Sequence, residues 1–366
     1  MNFQQQLFDG TSLELGYTGA HGVRQPLKSN DGNIVEPTNP ADYLHLQWPL
    51  ATTTTTTTSA GATTTKTVFS GTKINPNSNV GQTDTTYWNE STTYNALIVA
   101  LRRNVGSMRL GVSYTWAKAT DESSSSNGGT NFVNSIIAPY PREINRFKGL
   151  ADFNVAQNLS VSALYTIPGP KEGAIKKLLG AGYQIGGIVR SATGLPFTPL
   201  ISGDQLGLQS ASVFSFPDRN YSGANCQNNP VNLADKFNYL RRECFSFPKG
   251  ITVSQNSSTS SNGTVTTVRN YYPTLGNVQR NSIIAQGIQN IDLSLVKSTA
   301  IPRVRESFRV EFRAEAFNLL NHPMFQVPNR SSLAIFNASG APVTSQILTT
   351  TSVPERQIQF GLKLIF

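Results

Sequence analysis

The side chains best suited to chemistry in this sequence are its three histidines, and their surroundings do not indicate an enzyme. Acyl transfer needs a nucleophile, a general base and a group that orients the base. His21 lies at the start of a glycine-rich stretch and His322 in an Asn-His-Pro turn, and neither has a nucleophile motif beside it. The sequence contains no Gly-x-Ser-x-Gly, no His-Glu-x-x-His and no phosphate-binding glycine loop. We therefore predict no catalytic residue, no cofactor and no enzymatic activity.

The only two cysteines, Cys226 and Cys244, lie in one long polar segment and are predicted to form a disulfide. An even pair of cysteines in an exported loop is typical of a bridge that closes a short loop, and two free buried thiols are the alternative. Because His21, His45 and His322 are far from this pair and from one another in the sequence, we predict no metal site.

The composition narrows the class of protein further. The 366 residues carry a net charge of +9, but the lysines and arginines are scattered, with no basic helix or zinc-finger pattern, so we expect no nucleic-acid partner.

No apolar run approaches the ~18–20 residues of a membrane-spanning helix, which leaves a β-barrel open for a membrane protein. The residues after Met1 lack the basic region and apolar core of a signal peptide. We expect the chain to be a carboxyl-terminal fragment of an exported protein.

The elements that carry the most information are two strongly alternating segments near the carboxyl terminus. In residues 307–317, apolar side chains from Phe308 to Ala316 alternate with charged ones. Since successive side chains of a strand point to opposite faces, this segment has one apolar and one polar face. A half-buried soluble strand has the same pattern, but its repetition at similar length along the chain favours a transmembrane barrel. We predict that a charged row faces the barrel lumen: Arg309, Glu311, Arg313 and Glu315.

The last segment, residues 356–366, has the same character. Its even-numbered residues from Ile358 onward are apolar and end on the aromatic Phe366. Among its odd-numbered residues, Ile365 is the only large apolar one. A tilted strand of about ten residues crosses a hydrocarbon layer. We therefore predict that the apolar parity of this strand faces lipid.

The whole chain is predicted to be all-β and to form about nine antiparallel strands of a transmembrane β-barrel. Asp9-Gly10 marks a tight hairpin turn. Short and long connections alternate along the chain, which is typical of outer-membrane barrels with short periplasmic turns and long extracellular loops. The short turns follow Phe8, Arg103, Ile167 and Lys297, and the long loops include residues 19–92, 121–134, 200–287 and 320–355.

Three details of these segments are predicted as well. The threonine clusters at residues 52–58 and 63–65 are low-complexity sequence, which we expect to be mobile. One long strand is expected over residues 146–167. The segment 171–179 is expected to be a short turn with about one turn of helix.

The most distinctive motif of the sequence is Phe-Asn-Leu-Leu-Asn-His-Pro, within residues 311–325. It is followed by Val-Pro-Asn at 327–329 and by Gln-Phe-Gly-Leu-Lys-Leu-Ile-Phe at 359–366. Together with the segments 13–22 and 194–199, these stretches resemble the Oar-like TonB-dependent outer-membrane receptors of acidobacterial type. The resemblance covers essentially the whole chain.

This resemblance implies that residues 1–366 are the carboxyl-terminal part of a receptor barrel of about 22 strands, without its signal peptide, plug and TonB-contacting segment. It implies an outer-membrane location and uptake of an unknown ligand that binds at the extracellular loops. TonB would be contacted only through the missing amino-terminal plug region. The resemblance also implies that the barrel-assembly machinery binds a terminal signal formed by Phe360, Leu362, Leu364 and Phe366.

Two other functions stay open on the sequence alone, a passive outer-membrane pore and a surface adhesin. In a receptor, the charged row either pairs internally and fills a polar lumen or contacts the plug. Tyr271 and Tyr272 are candidates for stacking on a sugar or a peptide, although exposed loop aromatics are common. Nine strands leave open edges, and unpaired backbone groups in lipid cost several kcal/mol each. We therefore expect the isolated chain not to insert stably on its own.

Overall fold

The computed structural model shows a chain built almost entirely of β-strands. It describes residues 1–29, 33, 50–69, 77, 79–81, 83, 85–124, 132, 136, 145, 147–170, 172–207, 215–302, 305, 307–329, 332–343, 348 and 350–366. His45, Arg146 and most of the predicted loop at 121–134 lie outside the described residues.

The elements fall into two series along the chain. The first contains the longest strands: β1 (Asn2–Phe8), β2 (Thr11–Ser29), β3 (Ala51–Thr57), β4 (Thr63–Phe69), β5 (Thr85–Val105), β6 (Met108–Asp121), β7 (Gly149–Leu150), β8 (Gln157–Thr166), α1 (Ala174–Gly180) and β9 (Tyr183–Ala192). The second contains many short strands: β10 (Pro196–Phe197), β11 (Leu200–Ser202), β12 (Asp218–Arg219), a 3-10 helix (Arg242–Cys244), β13 (Phe245–Ser246), β14 (Ile251–Thr259), β15 (Val265–Tyr272), β16 (Ile283–Ile284), β17 (Ile288–Ala300), β18 (Arg309–Phe317), β19 (Met324–Phe325), β20 (Ala334–Asn337), β21 (Thr351–Val353) and β22 (Gln357–Ile365).

Nine strands form one continuous antiparallel sheet in the order β1-β2-β5-β6-β8-β9-β17-β18-β22, with the short β7 beside β6. The prediction of an antiparallel barrel portion with about nine strands is confirmed. Short and long connections alternate along this path as predicted. Within the described residues no pair joins β1 to β22, so these two strands are the edges of the sheet.

The register of this sheet separates an apolar face from a polar face. Side chains that lie side by side across neighbouring strands form rows, and alternate rows differ sharply in polarity. One apolar row reads Leu13, Leu101, Val112, Val161, Val189 and Ile291, and another reads Met108, Tyr165, Ile185, Leu295, Ala314 and Phe360. The row next to Met108, on the opposite face of the sheet, is mostly polar or small: Asn104, Arg109, Leu164, Gly186, Ser294, Glu315 and Gln359.

The prediction of one loop over residues 19–92 is wrong. β2 continues to Ser29 and β5 begins at Thr85, and the two strands pair over this whole length through two register shifts. The apolar alternation ends near Tyr17, while the strands continue well beyond the ~10 residues that cross a hydrocarbon layer. Backbone pairing and the β-branched threonines hold this outer part of the hairpin, and neither requires an apolar face.

The threonine clusters are ordered, contrary to prediction. β3 pairs with β4 and with β15, and β15 pairs with β14, so a four-stranded sheet joins two different long connections. Threonine hydroxyls meet across β3 and β4, for example Thr53 Oγ1 and Thr67 Oγ1 at 3.0 Å and Thr57 Oγ1 and Thr63 Oγ1 at 3.1 Å. Cross-strand threonine pairs stabilise a sheet, and composition alone does not reveal that a threonine run has such partners.

The predicted single strand over residues 146–167 is also wrong, because a turn separates β7 from β8. The Asn154 N–H donates to the Ala151 carbonyl at 2.9 Å, and Asn154 Oδ1 accepts a 2.7 Å hydrogen bond from the Ala119 N–H. Asparagine and aspartate side chains favour such turns because they hydrogen-bond nearby backbone. The predicted helical turn within residues 171–179 is present as α1.

The long connections form a folded layer rather than irregular loops. Residues 200–287, predicted as one loop, contain β11 to β16 and the 3-10 helix. β11 also pairs in parallel with β20, which belongs to the last long connection. Buried apolar side chains from several connections pack together in this layer, among them Leu27, Phe147, Phe197, Leu206, Phe216, Tyr239, Leu240, Leu333 and Ile335.

Candidate functional site

The apolar face of the nine-stranded sheet is exposed over most of its width. Phe360 and Leu362 on β22 are each 69% exposed, and Trp116 on β6 is 60% exposed. Contiguous apolar surface of this extent is rare in soluble proteins and suits contact with lipid. The same face carries further exposed side chains: Leu15, Leu97, Tyr165, Ile185, Leu293, Leu295, Phe312, Ile358 and Leu364.

The predicted charged row lies on the opposite face of the sheet. Arg313 sits between two glutamates, with Nη2 3.0 Å from Glu311 Oε1 and Nη1 3.6 Å from Glu315 Oε1. Glu311 also lies across from Lys363 of β22 in the register, and Arg309 shares their face. Exposed ion pairs contribute only about 0–1 kcal/mol each. The row therefore neutralises itself and keeps this face hydrated without needing a ligand.

A cavity of about 710 Å³ lies against the middle of the sheet. The register places four of its charged lining residues on the polar face, Arg102 and Arg109 on one side and Asp292 and Glu315 on the other. Small residues on the strands between them, such as Gly111, leave the space open. The polar face therefore has room for water, a ligand or another protein segment.

At the other end of the sheet, where long connections begin, one buried arginine joins three segments of the chain. Arg280 Nη1 lies 2.6 Å from Asp121 Oδ1, and Nη2 lies 2.8 Å from Asp152 Oδ1 and 2.9 Å from Ser124 Oγ. Asn281 Nδ2 donates to the same Asp152 oxygen at 2.6 Å. Buried charges are tolerated only with partners, so this cluster fixes the segment before β17 on the ends of β6 and β7.

Two more buried carboxylates lie beside this cluster. Glu122 accepts hydrogen bonds from the Ser91 N–H at 2.7 Å and from Ser91 Oγ at 2.8 Å, and Glu90 Oε1 accepts one from the Ser123 N–H at 2.8 Å. Glu90 is more than ten residues from the short turn after β5, and therefore outside the membrane-crossing part of the strand. Burial raises the pKa of Glu90 to about 7, and the nearby carboxylates act in the same direction.

The sequence analysis did not identify this charged cluster. Its four acids and its arginine are spread along the sequence from Glu90 to Arg280, and none belongs to a motif. The one local signal is the isolated pair Asp121-Glu122 at the end of an otherwise apolar–polar alternating strand.

Cys226 and Cys244 are joined by a disulfide in the structure, with Cα atoms 5.1 Å apart. Arg219 holds the two ends of this bridge, because its Nη2 donates to the Cys226 carbonyl at 2.6 Å and its Nη1 to the Cys244 carbonyl at 2.9 Å. Its guanidinium also lies 4.8 Å from the Tyr221 ring centroid and 5.1 Å from that of Phe245. The bridge and the arginine together fix the backbone in this part of the folded layer.

A cavity of about 500 Å³ lies beside the disulfide. Its lining combines the guanidinium-bearing Arg241 and Arg242 with amide and aromatic side chains. The backbone here is held by hydrogen bonds from the Arg241 N–H to the Pro230 carbonyl and from the Cys244 N–H to the Arg241 carbonyl, at 2.9 and 3.0 Å. The other lining residues are Asn232, Asn238, Leu240, Glu243, Phe245, Phe336 and Pro342.

The residues of the predicted terminal signal lie on the apolar face of β22. Phe360 stacks with Phe312 of the neighbouring strand at a centroid distance of 6.1 Å, and Phe366 lies 5.2 Å from Phe308. Phe366 is 75% exposed. The aromatic end of the chain therefore forms an accessible apolar edge of the sheet.

The other sequence candidates lie apart from these sites. Tyr271 is 5% exposed and its ring lies 4.4 Å from the Arg269 guanidinium carbon, so the idea that it is an exposed stacking residue is wrong. It is buried because β15 is an inner strand of the four-stranded sheet, and Tyr272 beside it is half-buried. His21 Nδ1 lies 3.1 Å from Thr93 Oγ1 on the exposed β2–β5 hairpin, and the His322 N–H donates to Asn318 Oδ1 at 3.2 Å.

No three acidic, histidine or cysteine side chains in the part of the chain that the structure describes are grouped to bind a metal ion. Among those same residues, no helix has the length and apolar character needed to cross a membrane.

Comparison with known proteins defines the class. Residues 1–359 match the family model described as an outer membrane beta barrel domain, so the chain belongs to this family and is an outer-membrane protein. Among solved structures, the chain is similar to the outer membrane transporter YddB from Escherichia coli, at 9% sequence identity and a TM-score of 0.40. The alignment covers 100% of this chain and 32% of YddB, so the chain spans about a third of that structure. No curated protein matches it.

Proposed function

We propose that the chain is the carboxyl-terminal barrel part of a TonB-dependent outer-membrane receptor that takes up a ligand from outside the cell. The observation that carries this proposal is the polar wall opposite the lipid face, with a cavity lined by Arg102, Arg109, Asp292 and Glu315. A polar wall of this width needs water or a separate plug to complete the lumen. The motif at residues 311–325 supports the Oar-like type. In this proposal, TonB acts on the receptor through the plug region of the whole receptor.

The ligand is proposed to bind at the folded layer of long connections. The cavity beside the disulfide supports this, because Arg241 and Arg242 offer guanidinium donors that suit carboxylate or phosphate groups, while Phe245 and Phe336 offer apolar surface. The fixed backbone around Cys226 and Cys244 reduces the entropy lost when a ligand binds. The apolar edge that ends at Phe366 is proposed to bind the barrel-assembly machinery during insertion.

The alternative functions are a passive pore and a surface adhesin. An adhesin is favoured by the four-stranded sheet of β3, β4, β14 and β15, because β14 is exposed along its whole length and presents an edge to partners. A passive pore is favoured by the open cavity on the polar wall.

An immunoblot of native outer membranes, boiled and unboiled, tests the proposal with an antibody against residues 215–287. A heat-shifted band far above 39.7 kDa indicates a larger receptor that contains this barrel part. A heat-shifted band at 39.7 kDa, together with steady KCl conductance of the purified protein in planar bilayers, contradicts the receptor proposal and favours a passive pore.

A further inference from the structure

Helix α1 carries an apolar stripe that no described part of the protein covers. Ile175, Leu178 and Leu179 are 73%, 52% and 66% exposed. Their spacing of three and four residues places them on one face of the helix, while Lys176 and Lys177 fall on the other. We propose that α1 is an in-plane anchor whose apolar stripe inserts into the periplasmic phospholipid leaflet of the outer membrane.

The connection that contains α1 lies at the periplasmic end of the sheet. α1 is part of the short connection between β8 and β9. The ends of these two strands are joined by a 2.9 Å hydrogen bond from the Ile167 N–H to the Tyr183 carbonyl. Short turns are periplasmic in this class of barrel. Both ends of the helix are therefore close to the periplasmic boundary of the hydrocarbon layer.

A lysine on the lipid side holds the carboxyl end of α1. Lys297 Nζ donates to the Ala181 carbonyl just after the helix, and it lies 4.3 Å from the centroid of the Tyr183 ring. The register puts Lys297 beside Tyr183 and Phe312, in an apolar row of the sheet. The end of α1 is thus attached to the lipid face of the wall and not to the polar face.

These contacts identify phospholipid as the partner of the stripe. Tyrosine rings and lysines with extended stems mark the boundary between hydrocarbon and headgroups in membrane proteins. The two strands that α1 connects carry exposed Tyr165 and Ile185 in their apolar row, at 45% and 39% exposure. A helix with one apolar and one basic face lies in the interface plane, and anionic headgroups attract its lysines.

Site-directed spin labelling of the full chain in isolated outer membranes tests the proposal. The native cysteines are bridged, so Leu179→Cys supplies one reactive thiol for a nitroxide. Lys177→Cys on the opposite face of α1 is the matched control, Leu233→Cys in the folded layer is a water-exposed reference, and Phe360→Cys is a lipid reference. Collision rates with oxygen and with a water-soluble nickel chelate report the depth of each label.

We expect the ratio of oxygen to nickel collisions at residue 179 to be at least about fivefold higher than at 177 and to approach that at 360. Replacing both Lys176 and Lys177 by glutamine should lower the ratio at residue 179, since it removes the attraction to anionic headgroups. Equal ratios at 179, 177 and 233, with a lipid-like value at 360, overturn the anchor. A water-like value at 360 overturns it too, because the anchor depends on the lipid-facing orientation of the wall.

Discussion

Replacing Arg280 with methionine should release the segment before β17 from the end of the sheet. The guanidinium contacts Asp121, Asp152 and Ser124 at 2.6–2.9 Å, and the arginine is 3% exposed. Methionine keeps most of the side-chain volume but leaves two buried carboxylates without their cation. The closest control is Lys148→Met, because Lys148 Nζ lies 3.9 Å from Glu122 but its side chain is 51% exposed.

Removing one partner from a buried ion pair costs about 3–5 kcal/mol, whereas an exposed pair contributes about 0–1 kcal/mol. We expect the cost of Arg280→Met to appear as local opening, because its contacts join long connections to the ends of β6 and β7. They do not involve the membrane-crossing parts of the strands. At about 1.4 kcal/mol per factor of ten, this cost increases local opening by roughly 10²-fold to several thousandfold. The control should change it less than about fivefold.

Hydrogen exchange of the protein in outer membranes measures this opening. The informative amides are those of Val278 and Ala285, which donate to the Pro217 and Leu195 carbonyls, and the reference amides lie in β17. Burial already raises the pKa of Asp121, and losing the arginine charge raises it further. The Asp121 carboxylate of the variant therefore becomes neutral as the pH falls, and the stability deficit of the variant should shrink from pH 7.5 to pH 5. Unchanged exchange at Val278 and Ala285 at pH 7.5 would refute the reasoning.

Three further changes test the folded layer and its border with the strands. Replacing Cys226 and Cys244 by serine removes a bridge that closes a short loop and should cost about 3 kcal/mol, seen as faster proteolysis of residues 219–246 with no change in β8 or β9. Burial raises the pKa of Glu90 to about 7, so the contribution of Glu90 to stability is fully present below pH 4.5 and is lost as the pH rises through about 7. The loss is at most about 3 kcal/mol. Glu90→Gln should abolish this pH dependence, as measured by a urea titration of hydrogen exchange. Gly149→Ala places a methyl group 2.4 Å from the Arg280 carbonyl oxygen and should increase hydrogen exchange at Val278. The control is Gly61→Ala, whose methyl group meets no atom within 4 Å. Because Gly61 has a positive φ, this control should affect only its own hairpin.

The sheet was predictable because membrane strands carry their own local pattern. Phe312 and Arg313 fall on opposite faces whatever the rest of the chain does, since alternation follows from strand geometry alone. The same is true of Phe360 and Lys363 in the last strand. The alternation of short and long connections then fixed the order of the strands, because neighbours in an antiparallel meander are joined by the shortest turns.

The folded layer was not predictable, because its contacts are distant in sequence. Arg280 and Asp121 are 159 residues apart, and Thr52 and Asn270 are 218 apart. The threonines of β3 have no apolar face, so nothing in their order distinguishes a paired strand from a mobile repeat. Tyr271 was predicted to lie in a long loop, yet it belongs to a sheet that is completed by β3, far away in the chain.

In the outer membrane, one face of the nine-stranded sheet is expected to meet lipid and the other to meet water. The most direct test is to place single cysteines at Phe312 and Arg313, adjacent positions on β18, and to treat intact outer membranes with a water-soluble maleimide. We predict that Arg313→Cys is modified and Phe312→Cys is not, until detergent and denaturant expose both. Equal modification of the two positions in the intact membrane would contradict this orientation of the sheet.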